Sequence, residues 1–167
     1  ADYGDALRTI DTSAVAHELN ITGNKLANKI IGSSENDCIN GEAGADSIVG
    51  GRGADTLVGG KGDDTIDGGK GNDSLWGGVG DDLLKGGDGA DVFFYKEGDG
   101  FDVIEDFDSL DRIMIYGLIK DMRDSSGDVT FTIGEGQSEG KLVVMGGADK
   151  GFKIYDEHGN YLRTHEA

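Results

Sequence analysis

From Ile39 to Phe93 an apolar side chain recurs every nine residues, at Ile39, Ile48, Leu57, Ile66, Leu75, Leu84 and Phe93. Two residues ahead of each stands an acidic one, at Asp37, Asp46, Asp55, Asp64, Asp73, Asp82 and Asp91. Cut every nine residues from Gly32, the chain reads GSSENDCIN, GEAGADSIV, GGRGADTLV, GGKGDDTID, GGKGNDSLW, GGVGDDLLK and GGDGADVFF, without a gap. Self-similarity at a fixed period marks a repeat architecture in which each unit buries its apolar face only by stacking on neighbours. The six residues before each apolar position predict a turn and the three around it a short strand. Two nonamers then make one coil with a strand on each side, and successive coils stack about 4.8 Å apart. The pattern is all-β.

The flanks follow the period less closely. GNKLANKII (residues 23–31) is a degenerate copy that keeps Ile30 but has Asn28 where the carboxylate belongs. Ile10 and Ile21 predict imperfect, metal-free coils over residues 8–22, with Ala14–Leu19 as an alternative helical turn. After two extra residues, Glu97 to Ile104 resume the order Gly98, Gly100, Asp102, Ile104. Beyond that, Ile113/Ile115, Val129/Phe131/Ile133, Leu142/Val144 and Phe152/Ile154 alternate with polar neighbours and predict antiparallel strands or hairpins. The expected division is capping coils at 1–22, the repeat stack at 23–107 and a β-rich cap at 108–167.

Composition sharpens this picture. The chain has 167 residues, 31 Gly, no Pro, one Cys and a net charge of −18. Residues 32–102 hold 20 of the glycines, with 16 acidic and 5 basic side chains, so glycine and charge belong to the same pattern. Such a charge excludes a nucleic-acid binder and opposes docking on an anionic membrane surface. The longest nearly apolar run, Ile113–Ile119, falls far below the ~20 residues of a membrane span. Cys38 alone makes no internal disulfide. The chain begins Ala-Asp-Tyr-Gly with no charged-then-apolar leader and reads as a piece of something longer.

Glycine at the first, second and fourth places frees the backbone to aim carbonyls at one point, and Asp at the sixth brings a carboxylate there. Oxygen ligands with negative charge suit a hard cation, and calcium accepts six to eight of them in flexible geometry. The repeats contain no His, which disfavours zinc and copper. Stacking aligns Asp37, Asp55, Asp73 and Asp91 on one side, and Asp46, Asp64, Asp82 and then Asp102 on the other. Three gaps on each side predict about six Ca2+, with a seventh if Asp106 or Asp108 closes an end, and a weak or empty gap at Asn28. One inward apolar side chain per nine ordered residues leaves chain entropy unmatched, and stacked carboxylates add repulsion. The expectation is a chain unfolded without calcium and folded with it.

The nonamer Gly-Gly-x-Gly-x-Asp-x-apolar-x resembles the RTX (repeats-in-toxin) calcium-binding repeat. The resemblance implies a right-handed parallel β-roll, a β-helix with two nonapeptides per coil, capped at both ends. It also implies that turn carbonyls at the first four places share each ion with the Asp side chains. Those places are Gly50, Arg52 and Gly53; Gly59, Gly60, Lys61 and Gly62; Gly68, Gly69, Lys70 and Gly71; Gly77, Gly78, Val79 and Gly80; and Gly86, Gly87, Asp88 and Gly89, with Asp99 beside Asp102 in the inserted copy. Ser33, Ser34, Glu35 and Glu42 depart from the pattern, which puts the first turns in doubt as sites. Members of the family are bacterial proteins exported through a type I apparatus and folded by extracellular calcium, with Kd of ~10⁻⁴–10⁻³ M. The implied module is secreted, monomeric and non-catalytic, and belongs to a larger exported protein.

The outward residues suggest a different function. Trp76 and Phe94, one coil apart at the ninth place, could form an aromatic platform for a glycan, or be covered by a flanking segment. The alternative reading is a carbohydrate-binding or adhesin module attached to a polysaccharide-active enzyme or surface protein. A catalytic site is hard to assemble. His17, His158 and His165 lie in the flanks, with no nucleophile elbow or His-Glu-x-x-His motif. An EF-hand fails because its twelfth position, counted from Asp63, is Ser74.

Overall fold

The computed structural model describes residues 8–125, 127–146, 153–156 and 158–164. Its strands are β1 (Thr9–Asp11), β2 (Asn20–Asn24), β3 (Lys29–Ile31), β4 (Cys38–Ala43), β5 (Ser47–Arg52), β6 (Thr56–Lys61), β7 (Thr65–Lys70), β8 (Ser74–Val79), β9 (Leu83–Asp88), β10 (Val92–Lys96), β11 (Phe101–Ile104), β12 (Arg112–Tyr116), β13 (Ile119–Ser125), β14 (Asp128–Ile133), β15 (Gly140–Val144), β16 (Lys153–Asp156) and β17 (Tyr161–Thr164). They form two sheets, ordered β1-β3-β5-β7-β9-β11-β15-β14-β13 and β17-β16-β12-β10-β8-β6-β4-β2. From β1 to β13 successive strands alternate between the two sheets, and this makes an all-β parallel roll.

Register follows the repeat. Ile48 pairs with Ile66 and Ile39 with Leu57, an 18-residue step in each case. The eighth-place side chains meet in one buried core running from Ile21 to Ile154. Along β5 the burial alternates, with Ile48 and Gly50 inward and Val49 outward. The first-place glycine is buried, with the Asp55 carboxylate and the Gly68 carbonyl packed against Gly50, and the second- and fourth-place glycines take left-handed backbone, as Gly51 (φ 117°) and Gly53 (φ 114°) show. Glu42 stands at a second place and is held at φ 78°, the positive-φ non-glycine residue among those described.

Residues 14–19 form no helix. The Thr12 carbonyl takes the Val15 N–H, and Asp11 Oδ1 takes both the N–H and the hydroxyl of Ser13, so the segment turns instead. β1 and β2 pair in parallel with β3 and β4 as outer coils of the roll. The expected antiparallel tail is corrected in part. β12 pairs in parallel with β10, β15 with β11, and β16 with β12, so the roll continues past residue 107. Antiparallel pairing is confined to β13–β14, β14–β15 and β16–β17. The β13–β14 hairpin is an insertion within a coil, and Ile104 still meets Val144 across it. The alternation at Phe152 lies outside the described residues, and of the turn over 156–160 the Asp156 carboxylate accepts the His158 and Asn160 N–H groups.

Candidate metal centre

The acidic side chains do stack. Asp37 donates its N–H to Asp55 Oδ1 at 2.7 Å, Asp55 to Asp73 at 2.8 Å, Asp73 to Asp91 at 2.8 Å, and Asp91 to Asp111 at 2.9 Å. On the opposite edge Asp46 donates to Asp64 at 2.7 Å, Asp64 to Asp82 at 2.8 Å, and Asp82 to Asp102 at 3.2 Å. Each carboxylate is thereby fixed by the coil before it, and consecutive carboxylates flank four gaps on one edge and three on the other.

The second oxygen of seven of the nine column carboxylates has no partner. Oδ2 of Asp46, Asp55, Asp64, Asp73, Asp82, Asp91 and Asp102 is buried and unpaired. At both ends of the longer column, and at Asn28 ahead of Asp46, the corresponding atom is satisfied locally. Asp37 Oδ2 accepts the Ser33 N–H at 2.5 Å, Asn28 Oδ1 the Asn24 N–H at 2.9 Å, and Asp111 Oδ2 the Asp108 N–H at 2.8 Å. An orphaned buried oxygen carries a desolvation cost that natural proteins rarely leave uncompensated. Seven of them in register point to a ligand rather than to strain.

Backbone oxygens converge on the same places. A Cβ on Gly68 would lie 2.5 Å from both Asp73 Oδ2 and the Gly86 carbonyl oxygen, and one on Gly50 would lie 2.7 Å from the Gly68 carbonyl and against Asp55 Oδ2. The first-place glycine therefore leaves room for two facing oxygens with no donor between them. That donor set, hard oxygens around a negative charge, fits calcium. Among the described residues no three His, Cys, Asp or Glu side chains cluster as a metal group. A site here draws on two carboxylates and main-chain carbonyls, and a side-chain cage of the zinc type is absent.

Burial dominates the electrostatics of the columns. It pushes Asp55, Asp73, Asp82, Asp91 and Asp111 up to about 6, Asp64 to about 7 and Asp102 to about 8, against the hydrogen bond each accepts from the backbone. Neighbouring carboxylates add to the rise, as Asp82, Asp46 and Asp63 do around Asp64. Asp46 is raised by burial as well. Near neutral pH these groups lack a countercharge.

The expected site residues fall into three sets. The Asp columns and first-place glycines come together at the two edges of the roll. The third-place side chains of Arg52, Lys61, Lys70, Val79 and Asp88 are exposed. The carbonyls of Lys61, Lys70, Val79 and Asp88 accept N–H groups from Gly44, Gly53, Gly62 and Gly71 at 2.7–2.9 Å, so each has one lone pair left for an ion. Asp99 stands apart from the column: its Oδ2 accepts the Trp76 indole N–H at 3.1 Å and the Lys96 N–H at 2.7 Å. Asp106 accepts the Gly86 and Gly87 N–H groups, and Asp108 Oδ1 accepts that of Leu110. Asp111 closes the longer column and was missed by the sequence reading. Its signal is the nine-residue step from Asp102, repeated from Ile104 to Ile113.

The family model for the RTX calcium-binding nonapeptide repeat matches four times, over residues 22–57, 49–84, 58–93 and 71–104. The chain belongs to the RTX calcium-binding repeat family, and it is a calcium-binding module of β-roll form. No curated protein matches it. Among solved structures it is similar to the extracellular lipase LipA from Serratia marcescens, at 15% identity and TM-score 0.36, covering 83% of this chain and 40% of the lipase. It is also similar to the AlgE6R3 subunit of the Azotobacter vinelandii mannuronan C5-epimerase, at 22% identity and TM-score 0.40, covering 81% of this chain and 76% of that one. The chain thus spans less than half the length of the lipase. Among the described residues no helix is long and apolar enough to cross a membrane.

Proposed function

We propose that this module is unfolded at low calcium and folds when calcium occupies the gaps between consecutive Asp residues, outside the cell. Seven buried, unpaired Oδ2 atoms are the observation that carries the reading. Bound calcium supplies positive charge and accepts these oxygens together with turn carbonyls. Seven ions would cancel 14 of the 18 negative charges. The ligands come from the Asp columns and from the turn carbonyls of the first four places, with Asp111 in addition. The outer coils over residues 8–22 serve as a cap, and the calcium roll that starts at residue 23 runs on past residue 107 to include Asp111 before the β-rich cap begins. Folding only after export is the property a type I secretion substrate needs, and the module supports the export and folding of a larger bacterial protein in this way. It acts without catalysing a reaction.

Circular dichroism of the chain in EGTA, followed through a calcium titration, tests the folding step. The expected result is a coil spectrum that turns β-type cooperatively, with calorimetry giving about seven ions per chain. A β-type spectrum of full amplitude in EGTA refutes the reading. A second reading, a carbohydrate-binding module, is favoured by one observation: the rings of Trp76, Phe94 and Tyr116 gather half-exposed on the outer face of the β8–β10–β12 strands.

A further inference from the structure

The ring cluster occupies the outward positions of strands whose inward positions build the core. Trp76 and Phe94 are register partners on β8 and β10, and Tyr116 follows on β12. The three centroids are 6.2–6.4 Å apart, and the ring planes lie within 8–33° of one another. All three rings are half-buried, so each keeps an accessible part.

Depressions open on either side of the indole. One, of about 290 Å³, runs between Trp76, Phe94 and Tyr116 and reaches the hydroxyls of Thr56 and Ser74. The other, of about 380 Å³, lies between Trp76 and the polar residues Asn40, Glu42, Lys61, Lys96 and Asp99, two cations against two carboxylates. Volumes of this order suit a small ligand rather than a protein face. From β6 to β12 the strip spans three strand spacings, about 14 Å, too narrow for the ~800 Å² per partner of a standard protein interface.

The indole is also locked. Its N–H is spent on Asp99, which is 5% exposed and which also accepts the Lys96 N–H. Asp99 belongs to the inserted copy, where two residues are added between Phe93 and Ile104. Its carbonyl continues the ladder by accepting the Gly80 N–H, and its carboxylate ties the inserted turn to the indole. The carboxylate thereby holds Trp76 in one orientation, and pre-organisation of this kind lowers the entropy cost of binding.

We propose that the two depressions flanking Trp76 form one binding site for an uncharged oligosaccharide, a proposal that rests on the carbohydrate-binding reading. The C–H face of a pyranose is weakly electropositive and suits the negative face of an aromatic ring. Its hydroxyls find donors and acceptors in Asn40, Lys61, Ser74 and Thr56. Charge decides the class. With seven calcium ions bound, the protein would still carry a net charge of −4, from −18 and fourteen positive charges, and a polyanionic glycan would be repelled.

Trp76 is the single tryptophan, so its emission reports on the site directly. The calcium-saturated chain is titrated with cellohexaose, xylohexaose and a polygalacturonate oligomer, followed by tryptophan emission and calorimetry. A neutral oligosaccharide is expected to shift the emission and protect it from acrylamide. Trp76→Ala is expected to lower affinity at least tenfold by calorimetry, and Phe94→Ala several-fold, with the calcium-induced circular dichroism unchanged in each; Tyr116→Ala replaces either variant that misfolds. Emission that responds only to polygalacturonate overturns the neutral class while leaving the carbohydrate reading standing. No response to any of the three at millimolar concentration overturns both. Binding that survives Trp76→Ala overturns the site.

Discussion

Asp64→Asn separates a metal ligand from a structural polar group, because the two roles predict effects of opposite sign. Asn keeps an oxygen for the Asp46 N–H, which now reaches Asp64 Oδ1 at 2.7 Å, so the coil-to-coil bond survives. Without calcium the ionised carboxylate is a liability. Burial, then Asp82, Asp46 and Asp63, raise it from 3.8 to about 7, and three units at ~1.36 kcal/mol each amount to about 4 kcal/mol at pH 8. The amide NH2 would replace the unpaired Oδ2 and bring an unsatisfied donor, at ~1–3 kcal/mol. The net expectation is a metal-free fold stabilised by about 2 kcal/mol, a factor of ~30 in its population.

In calcium the same substitution removes a charged ligand from two gaps, those toward Asp46 and Asp82. The calcium midpoint should rise by at least ~10-fold, equivalent to ~1.4 kcal/mol. Both arms are read by far-ultraviolet circular dichroism at pH 8. One titrates an excluded osmolyte into the EGTA-treated chain, where compaction is forced without metal. The other titrates calcium. The variant should need less osmolyte and more calcium than the parent. A variant that needs more osmolyte, or that folds at the parent's calcium concentration, refutes the reasoning.

Acid should act on the metal-free and metal-bound forms in opposite directions. The folded carboxyls titrate at about 6 to 8 and the unfolded ones near 3.8, so the metal-free fold is most stable below pH 4 and loses stability as pH rises through 6 to 8. Calcium competes with those protons, so its midpoint should climb as pH falls from 8 to 5.5, with protons released on binding in weak buffer; a pH-independent midpoint would contradict this. Asp111→Asn, outside the glycine-rich copies, should remove one ion from the stoichiometry in native mass spectrometry, and an unchanged count would show that the longer column ends at Asp91. Gly68→Ala should close one cradle, because its Cβ would meet Asp73 Oδ2 and the Gly86 carbonyl at 2.5 Å. Gly98→Ala, at φ 94° with no atom within 4 Å of the added Cβ, should cost only ~1–2 kcal/mol and leave the ion count intact; equal ion counts for the two variants would remove the steric argument.

The columns were legible because a fixed period converts sequence register into spatial register. Nine residues carry the chain to the opposite sheet and eighteen return it, so Asp37 and Asp55 had to meet. Asp111 was harder to see because its copy has Asp106, Phe107 and Ser109 at the places of the three glycines. Phe107 is nevertheless fully buried against Phe93, with centroids 6.1 Å apart, and a large ring here does the work of a turn residue. Strand direction in the tail was illegible for a different reason. Alternation of Leu142 and Val144 fits either a parallel or an antiparallel partner, and only the preceding hairpin, which returns the chain to the same end of the sheet, makes β15 parallel to β11.

The ninth place of the repeat explains how one fold can carry two chemistries. Residues at the first, sixth and eighth places are constrained by the cradle, the carboxylate and the core. The ninth points outward and is constrained by none of these, and it holds Asn40, Val49, Val58, Asp67, Trp76, Lys85 and Phe94 in turn. Because successive copies fall on alternate sheets, the two outer faces draw on different members of that series. One face receives Val49, Asp67 and Lys85, and Lys85 meets Asp67 at 3.4 Å in an exposed ion pair worth little to stability. The other receives Asn40, Val58, Trp76 and Phe94, which gathers apolar and aromatic surface on a strongly charged protein. A roll held together from its edges therefore leaves a sheet face free to acquire a ligand, and substitutions at Trp76 should leave calcium folding intact while changing what the folded module holds.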